Sequence, residues 1–384
     1  MPTNGKGTLT DYLYAKAAAN RVPLGGSFEL TPVCNFRCKM CYIRHTPESL
    51  RASGKRLHTA DEWLRLGKEC RDAGMLYLLL TGGEPFLFPE FRRLYEGLHQ
   101  MGLVLSINTN GSLITAETVE WLKKWAPSRV NITLYGFSPE TYERVTGNPA
   151  GFEKTMTAIR MLREAGIQVV VNVSLIPENA DDLEKIAAFG REMGLNTRIT
   201  SYMFPPARRE AEEGDSRFTP EEAAALHIRK LRCQYDREHY LAHLRRDVLS
   251  VEGFDGNAAD PADWGSSTED FMRCRAGRSS FWVNWEGEMT ACGMMDFPPV
   301  KCRPFEQPFA ECYAALTEET RKTPVLAGCV GCAYREICHP CAAMAMTETG
   351  DPNGRPTYLC EMAKEIYKRS KEALREEGIH EKTK

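Results

Sequence analysis

Three cysteines, Cys34, Cys38 and Cys41, stand in the run TPVCNFRCKMCY with the spacing Cys-x3-Cys-x2-Cys. Thiolates are soft ligands that select zinc or iron–sulfur clusters. Three of them suit a 4Fe–4S cluster with one iron left free of protein, and three plus His45 also suit tetrahedral zinc. A second collection lies towards the other end of the chain: Cys274, Cys292, then Cys329-x2-Cys332-x5-Cys338-x2-Cys341, and finally Cys360. Its two Cys-x2-Cys pairs are enough for one zinc ribbon. That ribbon gives Cys274, Cys292 and Cys360 nothing to do, whereas seven thiolates approach the eight of two fully protein-bound 4Fe–4S clusters. Fourteen cysteines in 384 residues fall well below the ~8–10% of a disulfide scaffold. The start, MPTNGKGTLTDYLY, has no secretory pattern, so the expected compartment is the reducing cytoplasm and the expected use of clustered thiols is metal. Of the remaining thiols, Cys70 falls on the apolar stripe of a helical segment, as a small core residue does.

The elements that must position these residues are legible from Phe28 onward. Strand-like runs at Phe28–Thr31, Met75–Thr81, Leu103–Asn108, Val130–Leu134, Ile167–Leu175 and Asn196–Tyr202 alternate with amphipathic segments whose apolar residues recur three and four apart. The segments are Asp61–Ala73, Pro89–Met101, Ala116–Trp125, Gly151–Ala165 and Asp181–Met193. Gly74, Gly102, Gly166 and Gly194 follow four of them, as helix C-caps do. Six β/α units predict a parallel sheet with right-handed crossovers, and six rather than eight predict a partial (β/α)6 TIM-like barrel within an α/β fold. Loops after the strands form the working face of such a barrel, and Cys34, Cys38 and Cys41 follow the first strand. Thr219-Pro220-Glu221-Glu222 is a capping box that predicts a helix running to about Arg246. Ser280–Trp285 and Glu288–Ala291 flank a glycine turn and predict a hairpin. The charged segment from Glu361 predicts a helix with a solvated face. The expected divisions are an extension (1–27), the barrel (28–204), a linker or helical lid (205–270), a Cys-rich module (271–365) and a tail (366–384). A formal charge of −3 and no long apolar run give no electrostatic case for nucleic acid and no membrane span.

Thr81-Gly82-Gly83-Glu84-Pro85 follows the second strand on that same face. Together with Cys34, Cys38 and Cys41 it closely resembles the radical S-adenosylmethionine (SAM) superfamily. The resemblance implies that the open iron is chelated by the amino and carboxylate groups of SAM, and that Gly82, Gly83, Glu84 and Pro85 hold the amino group. It implies that Met40 packs beside the adenine, that Asn108 and Asn110 reach the ribose, and that Thr133 and Arg144 complete the SAM site. An Asn-Gly turn at Asn110-Gly111 and a surface role for Arg144 remain open. In this family the reduced cluster cleaves SAM to a 5′-deoxyadenosyl radical that abstracts a substrate hydrogen.

The C-terminal order resembles the SPASM domain, the twin-cluster extension of peptide- and protein-modifying radical SAM enzymes, with x2 as the last interval where x3 is usual. By that resemblance Cys274, Cys292 and Cys341 hold a nearer auxiliary cluster, and Cys329, Cys332, Cys338 and Cys360 a distal one. Cys302 or Cys312 would supply a fourth ligand to the nearer cluster, unless that iron stays open to a substrate thiolate. The whole implies three 4Fe–4S clusters, SAM, a precursor peptide, an electron donor such as ferredoxin or flavodoxin, and leader recognition by a separate leader-binding protein or by the 205–270 region. The reading is a peptide maturase forming a Cys thioether. The alternatives are carbon–carbon crosslinking, epimerisation with Cys233 as hydrogen donor, a sulfatase-type maturase with Asp296 as base, and a non-enzymatic iron–sulfur or zinc scaffold.

Overall fold

The computed structural model describes residues 8–43, 45–208, 216–254, 274–295, 302–322 and 326–379. In chain order, helix α1 (Leu9–Asn20) precedes strand β1 (Gly25–Glu29), and the short α2 (Pro47–Ala52) follows the cysteine loop. Then come α3 (Ala60–Asp72), β2 (Tyr77–Thr81), α4 (Phe91–Gln100), β3 (Val104–Thr109), α5 (Ala116–Lys124) and β4 (Arg129–Thr133). Helices α6 (Pro139–Thr146) and α7 (Gly151–Glu164) lead to β5 (Val169–Ser174), α8 (Leu183–Glu192) and β6 (Asn196–Thr200). Beyond the barrel lie α9 (Pro220–Gln234), α10 (Arg237–Glu252), β7 (Ser280–Val283), β8 (Met289–Thr290) and α11 (Phe309–Lys322). The chain ends in α12 (Arg335–Cys338), α13 (Ala342–Thr349) and α14 (Thr357–Glu376).

The first six strands are parallel and adjacent in sequence order, as the alternating pattern requires. Their outward residues, Phe28, Leu80 and Ile107 among them, are completely buried under the helices. Phe28 meets Trp63 of α3 with ring centroids 4.7 Å apart. The glycines foreseen as caps at positions 74, 102, 166 and 194 all take positive φ, the conformation that ends a helix without a Cβ clash.

Three elements differ from expectation. The 280–291 hairpin does not stand apart: β7 pairs in parallel with β1, Gly25 opposite Ser280, so one sheet runs β6-β5-β4-β3-β2-β1-β7-β8. The helix expected over 219–246 is two, because Asp236 caps a new helix by accepting from the His239 N–H at 2.9 Å. These helices do not form a separate lid. Leu231, Tyr240, Leu241, Leu244 and Val248 pack with Ala373 and Leu374 of α14. The tail helix therefore has a buried face, with Leu359, Met362 and Ile366 at most 7% exposed, rather than only a solvated one. Residues 255–270 of the expected linker lie outside the described residues. No helix among the described residues is long and apolar enough to cross a membrane.

Candidate functional site

The loop carrying Cys34, Cys38 and Cys41 is held from several sides at the C-terminal ends of the strands. The Arg37 and Lys39 N–H groups donate to Thr146 and Val145 carbonyls, at 2.8 and 3.1 Å. Cys34 Sγ accepts from the Phe36 N–H at 3.4 Å and from Asn110 Nδ2 at 3.6 Å. The Tyr135 hydroxyl bonds Cys38. Burial pushes the Cys34 thiol up to about 12 and Cys38 well above its usual range, with the neighbouring sulfurs adding to the effect. Cys34 and Cys38 thus present desolvated sulfurs already supplied with N–H and O–H donors, as cluster ligands need. A bound iron cation reverses the pKa logic and takes them as thiolates, and the donors then orient and stabilise that charge. Among the described residues no three His, Cys, Asp or Glu side chains converge on a single-ion point. One zinc draws its sulfurs to within about 4 Å of each other, whereas a cubane puts each on its own iron. His45 lies edge-on to Trp285 with ring centroids 5.5 Å apart, and its Nδ1 is 3.3 Å from Ser49 Oγ.

Gly82 and Gly83 serve the cysteine loop directly. A Cβ on Gly83 would fall 2.4 Å from the Val33 carbonyl oxygen, and one on Gly82 would fall 2.5 Å from that of Thr31. The Gly83 and Glu84 N–H groups donate to those same two carbonyls, at 2.6 Å to Thr31 and 2.9 Å to Val33. The Glu84 carboxylate is engaged within the protein. It is completely buried and accepts from Thr109 Oγ1 at 2.8 Å, the Asn110 N–H at 2.8 Å and the Phe86 N–H at 3.2 Å. Burial outweighs these donors and raises its pKa to about 7. Its side chain ties the Pro85 turn to the end of β3. Asn110 likewise spends its amide on Cys34 and on Asn35 Oδ1, the latter at 2.9 Å. Asn108 faces the barrel interior and accepts from Asn131 Nδ2 at 2.8 Å. Thr133 lies half-buried on β4 opposite Asn172, and Met40 is half-buried against the core. Arg144 is exposed and bonds Thr141 Oγ1 and the Glu178 carbonyl, each at 3.1 Å.

The later cysteines fall into separate groups. Cys292 and Cys341 each feel Cys274, and Cys292 also feels Cys341. Cys338 feels Cys329, Cys332 and Cys360 together. That second group lines a cavity with Arg335 and Arg355, and Arg355 Nε lies 3.4 Å from Cys360 Sγ. The x2 interval before Cys341 therefore does not prevent the crossover. Cys302 and Cys312 bond each other instead, and both are buried. Cys233 is not at the barrel mouth: it ends α9 against α8, its Sγ 3.7 Å from Glu184 Oε1. Cys70 is fully buried in the core, as its place on the apolar stripe suggests. Asp296 lies outside the described residues.

Two groups of site residues had no signal in the linear sequence. Tyr135 reaches Cys38 from the loop after β4. Glu29, the last residue of β1, is completely buried and paired with Arg208, whose guanidinium also covers the Tyr42 ring at 4.9 Å. Only a fold brings residues so far apart together.

Comparison with known proteins agrees with this arrangement. The AdoMet-dependent heme synthase of Methanosarcina barkeri is 26% identical over 335 residues, 85% of this chain and 93% of that protein. The sporulation killing factor maturation protein SkfB of Bacillus subtilis is 25% identical over 305 residues, 78% of this chain and 65% of that protein. Among solved structures, Streptococcus suis SuiB bound to the precursor peptide SuiA shares the fold with a TM-score of 0.63 at 16% identity, covering 94% of this chain and 83% of that one. The Radical SAM superfamily profile matches residues 28–190, spanning the cysteine loop, the Gly82–Pro85 turn and the strands that carry them, and this part of the chain is a radical SAM domain.

Proposed function

We propose that this protein is a cytoplasmic radical SAM maturase of the SPASM type that modifies a ribosomally made peptide, joining a Cys sulfur to a carbon as a thioether. Cys34, Cys38 and Cys41 hold the SAM-binding 4Fe–4S cluster. Cys274, Cys292 and Cys341 hold a nearer auxiliary cluster, and Cys329, Cys332, Cys338 and Cys360 a distal one. The first cluster, when bound, supplies the electron that cleaves SAM to the deoxyadenosyl radical. Around it, Phe36 and Asn110 orient Cys34, Tyr135 orients Cys38, and Glu84 fixes the turn on which SAM rests. A ferredoxin or flavodoxin supplies electrons, and a separate protein presents the leader.

The observation that carries the reading is the division of the C-terminal cysteines into three and four, with Cys302 and Cys312 engaged with each other. A cluster held by Cys274, Cys292 and Cys341 alone would have room for a substrate thiolate as fourth ligand, which would supply effective molarity for the sulfur. The similarity to SkfB over most of the chain supports a peptide substrate. A second reading has its own support: the heme synthase aligns along nearly its whole length, which favours a haem precursor. The test is anaerobic reconstitution with iron, sulfide, SAM and dithionite, offering in parallel the Cys-containing peptide encoded nearest this gene and a haem-precursor porphyrin. We expect 5′-deoxyadenosine and a peptide product lighter by two hydrogens. Turnover of the porphyrin with the peptide unchanged would replace the first reading by the second.

A further inference from the structure

Glu29 is placed where a side chain should not be left half satisfied. Phe28 points to the helix layer against Trp63, so by strand alternation Glu29 points into the barrel. It is completely buried; its Oε2 takes the Arg208 guanidinium, and its Oε1 has no hydrogen-bond partner. Arg208 Nε is equally buried and also lacks a partner. Leaving such groups unmet forfeits their hydration with nothing in return, and a partly satisfied buried ion pair is worse than an apolar one. The location is informative. Arg208 bonds Tyr42, the residue after Cys41, and its charge is felt by Cys292. The pair therefore links the loop of the first cysteine set to the nearer auxiliary set.

The unmet atoms specify the ligand. Glu29 and Arg208 neutralise each other, so the pair does not call for an ion. Nearby cations among the described residues are matched as well: Lys39 meets Glu178 at 2.8 Å, and Arg217 meets Glu348. A polycarboxylate would find no unspent positive charge in these three pairs. What remains is one acceptor beside one donor. A residue in an extended chain presents its N–H and C=O along the same edge, as paired β-strands do.

We propose that Glu29 and Arg208 clamp the backbone of one residue of an extended substrate peptide, Glu29 Oε1 accepting its N–H and Arg208 Nε donating to its C=O. The inference rests on the peptide reading above, and it places substrate selection partly on backbone conformation rather than on side chains. The test uses the reconstituted holoenzyme and random linear peptides selected for binding to it. Selected peptides are then measured against wild type, Glu29→Gln and Arg208→Lys, with each backbone N–H replaced in turn by an ester oxygen. Iron content and SAM binding serve as checks that the variants fold. Arg208→Lys keeps the charge opposite Glu29 but deletes the Nε–H together with the Tyr42 contact, so Tyr42→Phe, which removes only that contact, is measured beside it and should bind peptide as wild type does. We expect Arg208→Lys to weaken peptide binding about tenfold. We also expect one ester position to cost about tenfold in wild type and little in Glu29→Gln. Peptides that bind wild type and Arg208→Lys equally, with every ester neutral or equally costly in wild type and Glu29→Gln, would overturn the clamp and leave the peptide reading standing. Failure to select any peptide, with a polycarboxylate porphyrin binding instead, would overturn both.

Discussion

Glu84, the acid of the Gly-Gly-Glu-Pro run, shows how a motif residue can hold its own loop in place. Its type and place follow from the Gly-Gly-Glu-Pro run, but its carboxylate is turned into the protein, where Thr109 and Asn110 donate to it. Folding raises its pKa from 4.5 to about 7, burial being the main cause. The folded protein then holds a proton that the unfolded chain has released. This group's contribution to stability is whole below pH 4.5 and is lost as pH rises through about 7. The interval is worth about 3 kcal/mol. Urea unfolding of the iron-free protein at pH 5 and pH 8 should show the wild type losing about that much more than Glu84→Gln. Equal losses in the two proteins would mean that Glu84 is ionised throughout. The cysteine sets themselves were legible, because thiol chemistry and spacing are local properties. Tyr135, Glu29 and Arg208 were not, because a buried hydroxyl or ion pair acquires its partner only through the fold.

At the scale of elements, the strands and most barrel helices were legible to within a few residues, since period-two and period-3.6 patterns and glycine caps are written locally. The destination of the hairpin was not: alternation identifies a strand but not the edge it joins. Docking β7 on β1 requires small residues, and Gly26 provides one. A Cβ there would lie 2.6 Å from the Phe281 ring and 2.7 Å from Met75 Sδ. Gly26→Val should therefore destabilise the protein by about 1–3 kcal/mol through overpacking. It should also loosen the segment bearing Cys274 and Cys292, so that auxiliary iron is lost before the first cluster. Urea unfolding and iron content read both effects, and an unchanged midpoint with full iron would refute the coupling. The α9–α10 break was legible in principle, because Asp236 precedes Glu238 and His239 in the manner of an N-cap. The stronger capping box at Thr219 reads as the start of one long helix and masks the second cap.

For the whole molecule, the sheet and the α9–α10–α14 packing join the radical SAM domain and the Cys-rich module into one structure. Tyr202, at the exit of β6, donates to Glu348 of α13 at 2.9 Å, and Arg217 lies over the Tyr358 ring of α14 at 3.5 Å. The metal inventory is the property of the whole chain to measure. On the proposed assignment, three 4Fe–4S clusters would give about twelve irons per chain. Replacing Cys34, Cys38 and Cys41 together by Ala should remove about a third of the iron and all SAM cleavage. Cys302→Ala and Cys312→Ala should each keep the full complement, because those thiols face one another. Zinc as the dominant metal after anaerobic purification, or loss of a cluster in either single variant, would contradict the assignment.

The pairing of β7 with β1 also sets a timetable. Ser280 leaves the ribosome about 250 residues after Glu29, which at about 5–20 residues per second is a delay of roughly 12–50 s. Throughout that interval the nascent barrel carries an unpaired strand edge beside three reactive thiols. Such an edge templates pairing with another chain. A chain released before Val283 keeps that edge for good. Overproduction that outruns iron–sulfur delivery, or messages cut short before the hairpin, should therefore yield insoluble protein even though the entire radical SAM domain has been made.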